Sequence, residues 1–261
     1  MSTGRRIQDG ELAGRLVTEA GLLAARMLRD GLQVATKTSN TDLVSDADRA
    51  AEHLIVARLA ADRPEDGVLG EEGATRPGRR TWVIDPVDGT YNFVSGLPLW
   101  CSALALVDGE DVLVGAVYQP ATGELWVGGP ATGTTLGEQV LPPLADRPLA
   151  ELSVATYLNP TRLGDATLRE PLLRAMSGAA SARMIGSGSV ELAAVAAGRL
   201  GVYLHADTLP WDWYPGAALV LGAGGAAEVA EIGGHRWHVA GPPTAVAQAI
   251  QALATATDPE R

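Results

Sequence analysis

The sequence predicts a mixed α+β and α/β fold in two layered halves, residues 1–150 and 151–261, on three observations. Two amphipathic helical stretches come first. A run of short apolar strands separated by tight turns follows, and beyond a Gly-, Pro- and Thr-rich segment at 128–150 short apolar runs alternate with helical ones.

Residues 10–32 place Leu12, Leu16, Val17, Ala20, Leu23, Ala24, Met27 and Leu28 at helical spacing and stop at Gly31. A second helix is expected from Ala47 to Ala61, with the polar stretch Thr36 to Asp46 between them as a loop or loose hairpin. Strands are expected at 67–70, 81–84, 102–107, 112–118 and 125–127, with turns at Asp108-Gly109 and Thr122-Gly123, giving a largely antiparallel sheet. After the 128–150 linker come a strand near 152–156, helices near 166–176 and 189–197, a strand at 202–204, a helix from Pro215 to Ala223, a strand at 227–232 and a final helix from Pro243.

A chain of 261 residues with 46% hydrophobic residues buries a sizeable core. Its formal net charge of -11 and the lack of basic stripes argue against a nucleic-acid surface. Charges every few residues near the N-terminus leave no room for a signal peptide, and no stretch reads as a membrane span. The one cysteine, Cys101, lies in an apolar run and reads as a small hydrophobe in a reducing, cytoplasmic setting.

The stretch Trp82-Val83-Ile84-Asp85-Pro86-Val87-Asp88-Gly89-Thr90 ends an apolar strand in two carboxylates. Pro86 forbids the next ladder hydrogen bond, and Asp88-Gly89 makes a turn that swings the second carboxylate toward the first. Two anionic groups forced together repel unless a cation lies between them. Three further acidic segments sit at element boundaries: Asp42 to Asp48, Gly70-Glu71-Glu72 and Trp211-Asp212. Each has a plain structural alternative, as a helix cap at Asp46 or Asp48, a solvated loop at Glu71 and Glu72, or a turn at Asp212. Together they are all oxygen donors with no paired soft ligand nearby, which selects Mg²⁺, or Mn²⁺, over zinc. Glu71, Asp85, Asp88 and Asp212 suffice for two or three such ions, roughly 3.5 to 4 Å apart if paired. Gly89 and Thr90 then open a short helix whose free N–H groups suit a phosphate.

With these motifs the chain resembles the inositol monophosphatase family of lithium-sensitive, magnesium-dependent sugar phosphatases. Gly70-Glu71-Glu72 with Trp82 to Phe93 resembles its first signature, Trp211-Asp212 with Pro215-Gly216-Ala217-Ala218 its second, Lys37 to Asp48 its upstream segment and Gly186-Ser187-Gly188-Ser189 its substrate-side turn. The resemblance implies a layered αβαβα sandwich of the inositol monophosphatase and fructose-1,6-bisphosphatase type, acting on a small-molecule phosphate ester as a homodimer. It also implies that Glu71, Asp85 and the Val87 carbonyl hold one ion, that Asp85, Asp88 and Asp212 hold a second, and that a third leans on Glu71. Asp48 and Thr90 would pair and, with Glu71, orient a metal-activated water, with no phospho-enzyme. Substrate contacts fall to Asp88, Gly89, Thr90, Gly186, Ser187, Gly188 and His205, and a mobile loop carries Asp42 and the chain's single lysine, Lys37.

His205 stands where inositol phosphatases usually place an acid, which weakens an inositol assignment and favours a substrate with an additional anionic group, more so at low pH if the imidazole charges. Fructose 1,6-bisphosphate, histidinol phosphate and a nucleotide 3′-phosphate are the alternative substrates. A haloacid-dehalogenase reading fails on register, since two residues including Pro86 separate Asp85 from Asp88 where that motif has one. A non-catalytic binding protein on the same fold is the remaining rival. His235 and His238 are read as surface or packing residues, and Asp207 as a turn residue.

Overall fold

The computed structural model describes residues 3–31, 34–36 and 43–255. Helix α1 (Thr3–Asp30) begins a full two turns before the expected start. The reason is electrostatic: Asp9 is fully buried and receives Arg80 Nη1 at 2.8 Å and Arg63 Nε at 2.9 Å, an anchor that no apolar periodicity reveals. Strands β1 (Val34–Thr36) and β2 (Leu43–Ser45) pair antiparallel, as a hairpin requires, and lead into α2 (Asp46–Asp62). Ser45 caps α2 in a reciprocal box with Asp48.

The first sheet contains β3 (Gly67–Gly70), β4 (Thr75–Arg76), β5 (Arg80–Asp88), β6 (Cys101–Asp108), β7 (Asp111–Gln119), β8 (Glu124–Gly129), β9 (Gly133–Leu136) and β10 (Gln139–Val140). Its order is β10-β9-β8-β7-β6-β5-β3-β4, antiparallel except where β3 runs parallel to β5. Residues 128–140, expected as linker, instead finish this sheet, because the Gly- and Thr-rich stretch turns tightly back on β8. The short helix α3 (Thr90–Val94) follows β5, as expected from Gly89 and Thr90.

After a 3₁₀ turn (Leu149–Glu151) the second sheet forms from β11 (Ser153–Ala155), β12 (Ser181–Arg183), β13 (Val202–Ala206), β14 (Ala226–Ile232) and β15 (His235–Gly241), in the order β12-β11-β13-β15-β14. A 3₁₀ turn (Pro160–Arg162) and α4 (Ala166–Ser177) lie between β11 and β12, α5 (Gly188–Ala196) precedes β13, α6 (Pro210–Gly222) precedes β14, and α7 (Pro243–Ala254) closes the described chain. Helix α6 starts at Pro210, not at the expected Pro215, so Asp212 sits in the first turn of a helix rather than in a loop turn. Proline at the first helical position loses nothing, since that N–H has no intrahelical partner.

Five layers result. Helices α1 and α2 bury Leu16, Ile55 and Leu59 on one face of the first sheet. Helices α5 and α6 fill the space between the sheets, where Leu192, Trp213 and Leu219 join Val117 and Trp126 in one core. Helices α4 and α7 cover the outer face of the second sheet around Leu172, Trp237 and Leu253. The expected αβαβα sandwich is thus the observed one. Among the described residues no helix is long and apolar enough to cross a membrane.

Candidate functional site

The bulge in β5 sets the site. Asp85 pairs with Ala103 and Asp88 with Cys101, so three steps along β5 oppose two along β6, and the ladder slips at Pro86. The strand therefore continues past Asp85 instead of ending there. Both aspartates face the first turns of α5 and α6, and one oxygen each of Asp85, Asp88 and Asp212 lies within 4.8 Å of the others. Asp85 is 1% and Asp88 5% exposed. Burial, then the charges of Glu71, Asp88 and Asp212, holds the Asp85 carboxyl well above the ordinary carboxylate range. Burial, then Asp88 and Glu71, does the same to Asp212. Asp85 Oδ1 is buried without a hydrogen-bond partner among the described residues. An orphaned carboxylate oxygen within an all-oxygen donor set fits a hard divalent cation, and the residues present suit Mg²⁺ or Mn²⁺.

Glu71 enters from the turn after β3, and this turn is held by a residue that the sequence did not single out. Glu52, buried on α2, accepts the N–H groups of Glu72 at 2.9 Å and Ala74 at 3.0 Å. Gly70 is required there, because a Cβ would collide with the Glu52 carboxylate. An acid in the middle of a helix reads as a solvated face, so no local signal marked it.

Asp48 and Thr90 do meet: Thr90 Oγ1 lies 3.2 Å from Asp48 Oδ1 and 3.0 Å from the Val87 carbonyl oxygen, both acceptors. Asp48 Oδ2 accepts the Ser45 N–H at 2.9 Å and the Ser45 hydroxyl. Burial raises the Asp48 carboxyl above its usual range, against these hydrogen bonds. Gly89, at φ 90°, lets the chain turn from β5 into α3 in a conformation that side chains disfavour.

The Gly186–Ser189 turn brings donors to the same place. Asp88 accepts the N–H of Gly188 at 3.2 Å on one oxygen and that of Ser189 on the other, while Ser187 Oγ donates to the Asp88 carbonyl at 3.2 Å. Burial raises the Asp88 carboxyl, and these donors oppose it. Gly186, Ser187 and Gly188 line the cleft as expected, but the Gly188 N–H is spent on Asp88. Asn92 Nδ2 ties α3 to this turn through the Leu99 and Ile185 carbonyls, both at 2.8 Å. Cys101 packs as a buried small hydrophobe 3.9 Å from Asp88, as its apolar context predicts. Lys37 and Asp42 lie outside the described residues.

The family model of the inositol monophosphatase family matches residues 10–257. The chain belongs to the inositol monophosphatase family. It is 35% identical to the inositol-1-monophosphatase of Rhizobium meliloti (strain 1021), over 84% of this chain and 84% of that protein. It is 36% identical to the histidinol-phosphatase of Streptomyces coelicolor, over 74% of this chain and 76% of that one. The solved Thermotoga maritima IMPase superposes with a TM-score of 0.81 at 26% identity, covering 93% of this chain and 95% of that one. The chain is a metal-dependent phosphatase of small phosphate monoesters.

Within the inositol monophosphatase frame, the carboxylates open into a cleft of about 440 Å³. Its far wall holds His205, whose Nδ1 lies 3.2 Å from the Tyr203 hydroxyl and whose ring meets Tyr157 edge-on at 5.9 Å. Burial, aided by the neighbouring His238 and the Arg162 guanidinium, pushes the His205 pKa down to about 4. The expectation that the imidazole charges at low pH is thereby narrowed to pH near 4 and below. Asp207 is a turn residue, as expected, at φ 57°. His235 and His238 do not share a site. His235 bonds Asp207 at 2.8 Å, whereas His238 packs on Trp213 at 5.0 Å.

Proposed function

We propose that Asp85, Asp88, Asp212 and Glu71, with the Val87 carbonyl, hold two or three Mg²⁺ ions, with Mn²⁺ as a substitute, and that Asp48, Thr90 and Glu71 orient the water that attacks the phosphate. The convergence of three carboxylates, two buried and one half-buried, with one oxygen of each within 4.8 Å of the others carries this reading. When bound, the cations lower the pKa of water and neutralise charge on the departing alkoxide. The chain's own part is placement. Asp48 accepts the Thr90 hydroxyl, which leaves the Thr90 oxygen's lone pairs turned toward the cleft to receive a water proton, and the raised Asp48 carboxyl suits it to take that proton on. Gly89, Thr90 and Gly186–Gly188 bound the phosphate end, and His205 the substrate end.

The same reading includes a homodimer. Tyr91, Leu97, Leu99 and Met184 are 56%, 47%, 37% and 55% exposed, and Asn92 ties together the segments that carry them through the Leu99 and Ile185 carbonyls, which supports an apolar contact surface there. A cytoplasmic setting is supported by the single, buried thiol.

The test is phosphate release from inositol 1-phosphate, fructose 1,6-bisphosphate, histidinol phosphate and adenosine 3′-phosphate, with Mg²⁺ and with EDTA. Turnover should require the cation, show inhibition by millimolar Li⁺, and carry ¹⁸O from solvent directly into phosphate. Full activity in EDTA, or a trapped phospho-Asp85, sinks the reading.

A further inference from the structure

We infer that the cleft is built for a phosphate monoester carrying a second oxyanion, a carboxylate or another phosphate, which docks on Arg162 and Asn159 of the segment between β11 and α4. The inference rests on the reading above, in which the carboxylate end holds the scissile phosphate. What carries it is the hydrogen-bond capacity of these two side chains on the wall of the same cleft.

Arg162 and Asn159 both line that cleft. Arg162 Nη2 donates to Asp207 Oδ2 at 2.7 Å and lies 3.2 Å from His235 Nδ1. Its Nε and Nη1 make no hydrogen bond to the described residues, so three of five guanidinium protons are available. Asp207, in turn, meets three donors. One oxygen accepts the Arg236 N–H at 2.9 Å, and the other faces both Arg162 and His235. Burial favours its protonation, but those donors prevail and hold its pKa down to about 2. Asp207 thus stays ionised as the anchor that fixes the guanidinium, in a left-handed conformation rare for a side chain.

Asn159 shows the same imbalance. Its Oδ1 accepts the Thr161 N–H at 3.0 Å and the Thr161 hydroxyl at 2.8 Å, and the backbone donor fixes which amide atom is oxygen. Only the Nδ2 protons remain for a ligand. Arg162 and Asn159 themselves thus offer a ligand donors alone, next to a neutral His205. Glu191, which also lines the cleft, is kept protonated to about 8 by burial, so it adds no repulsion at neutral pH. A polyol needs acceptors as well as donors; an oxyanion needs donors alone.

Two matched pairs of substrates test this with the full chain and Mg²⁺: fructose 1,6-bisphosphate against fructose 1-phosphate, and 6-phosphogluconate against sorbitol 6-phosphate. Inositol 1-phosphate serves as the common reference. The wild type should favour the doubly anionic member of at least one pair by about tenfold to a hundredfold in kcat/KM, mostly through KM, as one or two charge-assisted hydrogen bonds provide. The pair that discriminates tells phosphate from carboxylate. Arg162→Gln should bring that ratio to within about twofold of one, and Arg162→Lys should restore only part of it, because a point charge lacks the fork held by Asp207. Hydrolysis of the reference with no preference in either pair, or a preference that survives Arg162→Gln in protein of unchanged Tm, overturns this inference alone. No cation-dependent hydrolysis of any compound overturns the site reading beneath it.

Discussion

Asp85, Asp88 and Asp212 are set against one another by the fold, and that opposition is measurable without turnover. In EDTA, Asp212→Asn should raise Tm by several degrees, because it removes one charge from a buried like-charge cluster. Mg²⁺ should raise the wild-type Tm and leave the variant nearly unmoved. A variant that melts lower than wild type in EDTA and still responds to Mg²⁺ would show that Asp212 is a packing residue. Thr90→Val should lower kcat about a hundredfold with Tm retained, since the hydroxyl bridges Asp48 and Val87 without filling a core position. The histidines supply a pH prediction. His238, like His205, has a folded pKa of about 4 against an ordinary 6.5, so it favours the fold when neutral and that contribution is lost as pH falls from 6.5 toward 4. His238→Phe, which keeps the contact with Trp213, should recover up to about 3 kcal/mol of the stability that wild type loses between pH 7 and pH 4.5 in urea unfolding. Equal acid loss in both proteins would refute it. The carboxylates were legible at this scale because their motifs are local. Glu52 and Arg162 were not, since each acts through partners twenty or more residues away that only the fold brings close.

The elements were readable wherever one apolar face alternates with a polar one. Helix α2, strands β6 and β7 and helix α7 fall near their expected bounds for that reason. The misreadings share a cause too. The first turns of α1 are fixed by Asp9 with Arg63 and Arg80, and α6 begins at a proline that a pattern reading treats as a break. The β5 bulge was half legible: Pro86 announces a broken ladder, but not that the strand resumes to Asp88. At this scale the turn carrying Glu71 is the vulnerable part. Glu52→Ala removes the acceptor of two part-buried N–H groups and should cost about 1 to 2 kcal/mol of stability, with weaker Mg²⁺ affinity by titration. Glu52→Gln, which keeps one acceptor, should recover part of both. Unchanged Mg²⁺ affinity in Glu52→Ala would remove this role.

Across the whole molecule the two halves are visible in the sequence as a change of texture. The helices of the second half share one core with the strands of the first, Trp213 and Leu192 packing with Val117 and Trp126. A fragment of residues 1–150 should therefore be unable to fold alone, and circular dichroism with a cooperative melt would contradict that. Met184→Glu should shift the sedimentation of the assembled protein toward monomer, if the apolar face around Tyr91 and Leu97 is where copies meet.

The hold of α5 on Asp88 reaches across one hundred residues of chain. During synthesis, Glu71, Asp85 and Asp88 emerge long before the backbone donors at 188 and 189 and the carboxylate at 212. Until those arrive, the early acids have neither their donors nor their fourth companion, and the nascent chain carries a site without a grip. A cation site that draws on residues 71 to 212 is therefore complete only after most of the second half has been made.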